Sequence, residues 1–156
     1  MSPRLLRWGM NWWPPFRGAG IRVRHIASDW SEARVELSAG RLRRNFVGTH
    51  YGGSLFSMTD PFYALMLIHR LGDRFLVWDQ AASIDFVAPG RGTVSARFSL
   101  AEDRLEEIRT QAAGGQKVLP QFDVEVKDEA GQLVARVRKT LYVRLKPRFR
   151  TSGTSS

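Results

Sequence analysis

The 156-residue chain contains no cysteine. That excludes a disulfide framework, a thiol nucleophile and any thiolate metal site. Histidine is almost as scarce, and His25, His50 and His69 stand too far apart for the spacing of a usual zinc site, so no metal is expected. Long apolar runs are missing too. The most apolar stretch, Leu55 to Leu71, is broken by Asp60, Pro61 and His69 and falls short of the ~20 residues that cross a bilayer. The opening MSPRLLRWGMNWWPPFRGAG lacks the uninterrupted apolar run and small-residue cleavage site of a secretory signal, which makes a cytoplasmic location the expectation. Acid is absent from both ends. Residues 1–24 hold five arginines and residues 136–150 seven basic side chains, in a chain of net charge +9. Such a field favours polyanions, whether nucleic acid, anionic lipid or the phosphates of coenzyme A, and charge alone does not choose among them.

What is present is a globular composition, 43% hydrophobic and 25% charged, at a length that suits one domain. Four segments alternate with period two. Over 75–88, Leu76, Trp78, Ala82, Ile84 and Phe86 share one face against Asp79, Ser83 and Asp85. Residues 93–100 set Val94, Ala96, Phe98 and Leu100 against Thr93, Ser95, Arg97 and Ser99, and 117–127 set Val118, Phe122, Val124 and Val126 against Gln121, Asp123 and Glu125. Over 133–145, Leu133, Ala135, Val137, Leu141, Val143 and Leu145 oppose Arg136, Arg138, Thr140 and Arg144. Strands with one dry and one wet face are the habit of antiparallel sheets. Shorter runs at 21–26 and 33–38 add two more, and the turns PGRG and DEAG separate strands as hairpin loops do.

Helices are few. Residues 3–12 suggest a short amphipathic one before the breaker WWPP, and 101–112 have helical composition ending at Gly114-Gly115. The stretch NFVGTHYGGSLFSMTDPFYALMLIHRL is apolar nearly all round, the mark of a core helix. The fold class predicted is α+β: an antiparallel sheet of about six strands wrapped around one long apolar helix. The boundaries follow as an N-terminal Trp-rich extension over 1–18, the domain proper over 19–146, and a disordered basic tail over 147–156.

That core helix carries an acid, Asp60, directly before Pro61. Asp followed by Pro is a good helix start, with Asp as N-cap and Pro at the first helical position, and on that reading Asp60 is structural. The other reading starts the helix at Gly52-Gly53, whose unpaired first-turn N–H groups offer an oxyanion site, and leaves Pro61 as a kink about two turns on. Asp60 would then be buried among Leu55, Phe56, Met58 and Phe62, where burial disfavours its charged form and suits it to general base catalysis.

The spacing Asn45-xx-Gly48-xx-Tyr51-Gly52-Gly53 followed by Asp60 resembles the N-x-x-G-x-x-H-G-G…D signature of hotdog-fold acyl-CoA thioesterases, PaaI-like branch, over roughly residues 20–145. The longer N-terminus and the WWPP element are more similar to a subgroup of hotdog proteins apart from PaaI itself. The resemblance implies a hotdog fold, with Asp60 as base or nucleophile, Gly53 N–H polarising the thioester carbonyl, and Asn45 in the same pocket. His50, Tyr51, Gly52 and Arg91 are the substrate-binding candidates, Arg91 for the nucleotide phosphates. Tyr51 replaces the family's histidine, with His50 one residue earlier. No cofactor is implied, coenzyme A being part of the substrate.

The function expected is therefore hydrolysis of an apolar acyl-CoA by a homodimer or dimer of dimers whose site lies between subunits. A second reading, a hotdog protein that binds acyl-CoA or lipid without turnover, follows from Tyr51 and Pro61. Nucleic-acid binding would use Arg136, Arg138 and Arg144, but no aromatic platform is interleaved with them. Trp8, Trp12 and Trp13 are read as covering an open edge of the fold, with peripheral contact to an anionic membrane as the alternative.

Overall fold

The computed structural model describes residues 2–38, 40 and 43–150. Two short helices open the chain, α1 (Pro3–Trp12) and α2 (Pro14–Ala19). Strands β1 (Ile21–Ile26) and β2 (Glu32–Ser38) follow, then α3 (Gly52–Ser57) and α4 (Phe62–Leu71). The rest is β3 (Phe75–Phe86), β4 (Thr93–Ser99), α5 (Glu102–Ala113), β5 (Gln121–Asp128) and β6 (Leu133–Leu145). All six strands join one antiparallel sheet in the order β1-β2-β4-β5-β6-β3, so β1 and β3 are its edges.

The alternation read from sequence becomes burial. Val35, Leu37, Val94, Ala96, Phe98, Val124, Val126, Val137, Leu141 and Val143 turn inward and are buried. Against them lies α4: its Phe62 ring meets Phe98 of β4 at 4.8 Å, and Tyr63 stacks on Phe122 of β5 at 4.4 Å. The sheet thus curls around a central helical segment, as expected. That segment is not one long helix. It breaks between Ser57 and Phe62, because Pro61 has no N–H to continue the ladder.

The N-terminal extension is part of the domain core. Met10 of α1 and Phe16 of α2 are buried, and Asn11 bonds the β1 edge twice, from Nδ2 to the Val23 carbonyl and from the Val23 N–H to Oδ1. It is the Leu6–Met10–Asn11 side that covers β1. Trp8, Trp12 and Trp13 face outward and are exposed, contrary to the reading of them as edge covers. At the other end, residues 147–149 form a 3-10 turn and Arg150 Nε donates to the Leu145 carbonyl, so the tail is ordered that far. Residues 151–156 lie outside the described residues.

One irregularity changes the face assignment of β3. Its pairing with β6 slips between Asp79 and Ala81, a β-bulge that reverses which side chains point inward. Before the bulge Val77 and Asp79 pair with the inward Val143 and Leu141; after it Ala82, Ile84 and Phe86 pair with Lys139, Val137 and Ala135. Leu76 and Trp78 therefore do not share a face with Ala82, Ile84 and Phe86. Trp78 turns outward, where it stacks on Tyr142 at 3.9 Å, and Asp79 turns inward.

Candidate active site

Asp60 sits in the break between α3 and α4, its N–H bonded to the Ser57 carbonyl at 3.2 Å. The N-cap position of α4 belongs to Pro61 and no side chain caps that helix, so Asp60 is not a cap. Nor is it buried. Its side chain is 64% exposed, and the apolar residues expected to enclose it are committed elsewhere, since Leu55, Met58 and Phe62 are part of the core. The expectation of a desolvated carboxylate fails because the inner face of β3 at this edge is open: Ala82 and Phe86 are exposed, and no further strand follows β3 among the described residues.

What the sequence reading missed is the partner of Asp60. Lys139 Nζ donates to Asp60 Oδ1 at 3.1 Å and lies 2.9 Å from Asp79 Oδ1. The lysine side chain is 1% exposed and Asp79 is 31% exposed. Lys139 falls on the same parity as Val137, Leu141 and Val143, a charged residue in a dry register, and that was the sequence signal available. Asp60 Oδ2 has no partner among the described residues.

The Gly-Gly helix start is as expected, and packing explains it. A Cβ on Gly52 would stand 2.9 Å from Phe86 Cζ, and one on Gly53 2.4 Å from Tyr51 Cε1. Two aromatic rings thus approach the backbone more closely than any other residue type allows. The first hydrogen bond of α3 runs from Ser54 N–H to the Tyr51 carbonyl, so the Gly52 and Gly53 amides precede the helical ladder.

Asn45 organises the loop before this start. Its Oδ1 accepts from the Val47 and Thr49 amides, and its Nδ2 donates to Thr49 Oγ1 at 2.8 Å and towards the His50 carbonyl at 3.4 Å. Its polar atoms are spent on the loop itself. His50 is buried, not presented to a substrate in the single chain: its N–H bonds the Gly90 carbonyl, and Nε2 donates to the Gly92 carbonyl at 2.9 Å. The contact fixes the tautomer and leaves Nδ1 as a buried acceptor without a partner among the described residues. Burial lowers the pKa of His50, an effect the Gly92 contact opposes and the Arg44 charge reinforces. Between the two glycines His50 grips, Arg91 stands exposed on the β3–β4 turn.

The structure thus forms two groups. Asn45, His50, Tyr51, Gly52, Gly53 and Arg91 belong to the α3 start and the turn tied to it; Asp60 belongs with Lys139 and Asp79 at the far end of α3. The arginines proposed for nucleic acid are engaged locally, Arg136 with Glu125, Arg138 with Asp123, and Arg144 with the Gly115 carbonyl. No cluster of metal-ligating side chains occurs among the described residues, and no helix there is long and apolar enough to cross a membrane.

Comparison with known proteins bears on the fold. No curated protein sequence matches the chain. Among solved structures, PA5026 of Pseudomonas aeruginosa, a protein of unknown function described as a probable thioesterase, superposes with a TM-score of 0.80 at 20% identity, over 93% of this chain and 97% of its own. Thioesterase HI1161 of Haemophilus influenzae gives 0.66 at 13% identity, over 98% and 95%. The PaaI protein of E. coli, from the phenylacetic acid degradation operon, gives 0.60 at 20% identity, over 90% and 95%. At these identities the likeness establishes the fold and leaves the reaction to the site. The family model described as "Domain of unknown function (DUF4442)" matches residues 3–143, so the chain is a member of that family, built on the hotdog fold it shares with these structures.

Proposed function

We propose that the protein hydrolyses the thioester of an apolar acyl-CoA, with Asp60 as general base. The observation that carries this reading is a carboxylate anchored through one oxygen at the open inner face of an edge strand, its other oxygen without a partner among the described residues. A water beside that second oxygen gives up its proton to Asp60 as its own oxygen attacks the thioester carbonyl carbon. Negative charge builds on the carbonyl oxygen, where a first-turn amide such as that of Gly53 stabilises it. The C–S bond then breaks, and the thiolate of CoA leaves and takes the proton from Asp60, giving free acid and thiol. That the superposed structures include proteins named thioesterases supports the reaction class.

The geometry also favours a homodimer. Gly53 and Asp60 are seven positions apart along a helical path, which at ~1.5 Å per residue is roughly 10 Å, too far for one chain to grip a single carbonyl and its attacking water. A second copy placed antiparallel along β3 would bring the Gly53 of one chain toward the Asp60 of the other. The 12-residue β3 edge invites such pairing, and Phe86 on it and Tyr51, whose rings lie against Gly52 and Gly53, expose apolar surface there. The acyl group would lie along Ala82, Ile84 and Phe86, and Arg91 would meet the CoA phosphates.

One observation favours the second reading, acyl-CoA binding without turnover: the Tyr51 ring lies against Gly53. Release of free thiol from a panel of acyl-CoA thioesters separates the two. Turnover establishes the hydrolase; saturable binding with no thiol release would establish the binding protein.

A further inference from the structure

Lys139 is a buried charge that the reaction above does not use. Removing an ammonium from water costs several kcal/mol even after relaxation, and a hydrophobic side chain of similar volume commonly serves stability as well or better. Its neighbours in the same register, Val137 and Leu141, are apolar and fully buried. Two further departures bring it company. The β3 bulge turns Asp79 inward, and the break before Pro61 brings Asp60 to the same point. Three unrelated segments therefore converge to set one ammonium between two carboxylates, at 2.9 and 3.1 Å. The two acids differ in their surroundings. Asp79 is two-thirds covered, whereas Asp60 stands largely in solvent, with one oxygen unpaired among the described residues.

We infer that Lys139 is the positioning residue of the site. Held from below by Asp79, its ammonium grips Asp60 Oδ1, fixes the plane of that carboxylate and leaves Oδ2 as the atom that takes the proton. Without this grip an exposed Asp60 on a broken helix would rotate among several rotamers, and only some would aim Oδ2 at the cleft. Asp79 serves as the lysine's second anchor and does not itself face the reacting atoms.

The inference rests on the hydrolase reading, and a double-mutant cycle tests it. The variants Asp60→Asn, Lys139→Met and the double variant are compared with the wild type on octanoyl-CoA, with kcat and KM read separately and the melting temperature of each recorded. Lys139→Met should lower kcat up to about a hundredfold, the scale of loss that a misplacement of ~1 Å causes. KM should stay close to that of the wild type. Because the lysine acts only through Asp60, the double variant should be no slower than Asp60→Asn alone. Losses that multiply in the double variant, or a Lys139→Met protein with wild-type kcat, overturn the inference while leaving the hydrolase in place. A wild type that turns over no thioester removes the hydrolase reading and this inference with it. Should Lys139→Met fail to fold, Lys139→Gln, a shorter polar side chain that removes both the charge and the reach to the two acids, is read by the same criteria.

Discussion

Asp60→Asn separates a catalytic acid from a structural one, and its two effects differ enough in size to be measured apart. Asn has the same shape, and its Oδ1 can still accept from Lys139 Nζ, which also keeps Asp79 at 2.9 Å. Because Asp60 is mostly exposed, the Coulomb attraction lost is screened by solvent, and the stability cost is about 1 kcal/mol or less. For a domain of this size that is a fall of roughly 2–4 °C in Tm. A buried, unpaired acid would have given the opposite sign, since its removal stabilises. The effect on turnover is larger. An amide cannot take a proton from water, and loss of a general base typically costs ~10²–10⁴-fold, or roughly 2.7–5.4 kcal/mol of barrier. The assay is thiol release from octanoyl-CoA under saturating substrate, beside a thermal melt of the same preparation. Turnover near the wild-type rate at an unchanged Tm would refute the assignment of Asp60 and, with it, the mechanism drawn for this edge of the sheet.

The open β3 edge predicts that light scattering at micromolar concentration finds dimers or pairs of dimers; monomer alone would remove the intersubunit site. An acyl chain laid along Ala82, Ile84 and Phe86 should gain ~0.8 kcal/mol per buried methylene, roughly fourfold in kcat/KM for each, until the groove is full. Equal rates on acetyl and octanoyl thioesters would contradict that placement. His50 should make the fold acid-sensitive. Its folded pKa lies below the ordinary 6.5, so between those two values the unfolded chain binds a proton that the native chain refuses. The neutral ring's contribution is complete above about pH 6.5 and is lost as pH falls through the folded value; melting temperatures from pH 7.5 to 5 should show this slope, and His50→Gln should flatten it.

The sheet was legible because burial on one side imposes a period of two, and only a strand explains the alternation of Val94, Ala96 and Phe98 against Ser95 and Arg97. Each of the six strands overlaps the segment that pattern marked, though β5 begins only at Gln121 and Val118 makes an isolated bridge, and α5 ends just before Gly114-Gly115, as its composition predicted. The Gly-Gly helix start was legible for a different reason. Glycine pairs mark close backbone approach, and Phe86 and Tyr51 supply the rings that approach. Local rules offered a cap at Asp-Pro beside a helix begun at Gly52-Gly53, and the structure takes the second reading. The tertiary alternative won because α3 already fills the space before Pro61, leaving Asp60 in a turn between two helices and not at the head of one.

The composition of the site was hidden by a single inserted residue. Parity along β3 holds only while the pairing is regular, and the slip between Asp79 and Ala81 reverses it without any glycine or proline to announce the bulge. Read without the bulge, Asp79 belongs to the wet face with Asp85, and Lys139 has no reason to be anything but an exception among its apolar neighbours. Read with it, the exception acquires a partner: the residue opposite Lys139 is Ala82, small enough to leave space, and Asp79 lies just across the slip on the same inward face. A charge on the dry parity of one strand therefore calls for a countercharge brought inward on the next, and the slip lets β3 supply Asp79 while Ala82, Ile84 and Phe86 also stay inward. The bulge and the buried lysine are two halves of one feature. Were the register of Ala82, Ile84 and Phe86 continued without the slip, Asp79 would fall opposite the outward Tyr142 and leave the ammonium with Asp60 alone.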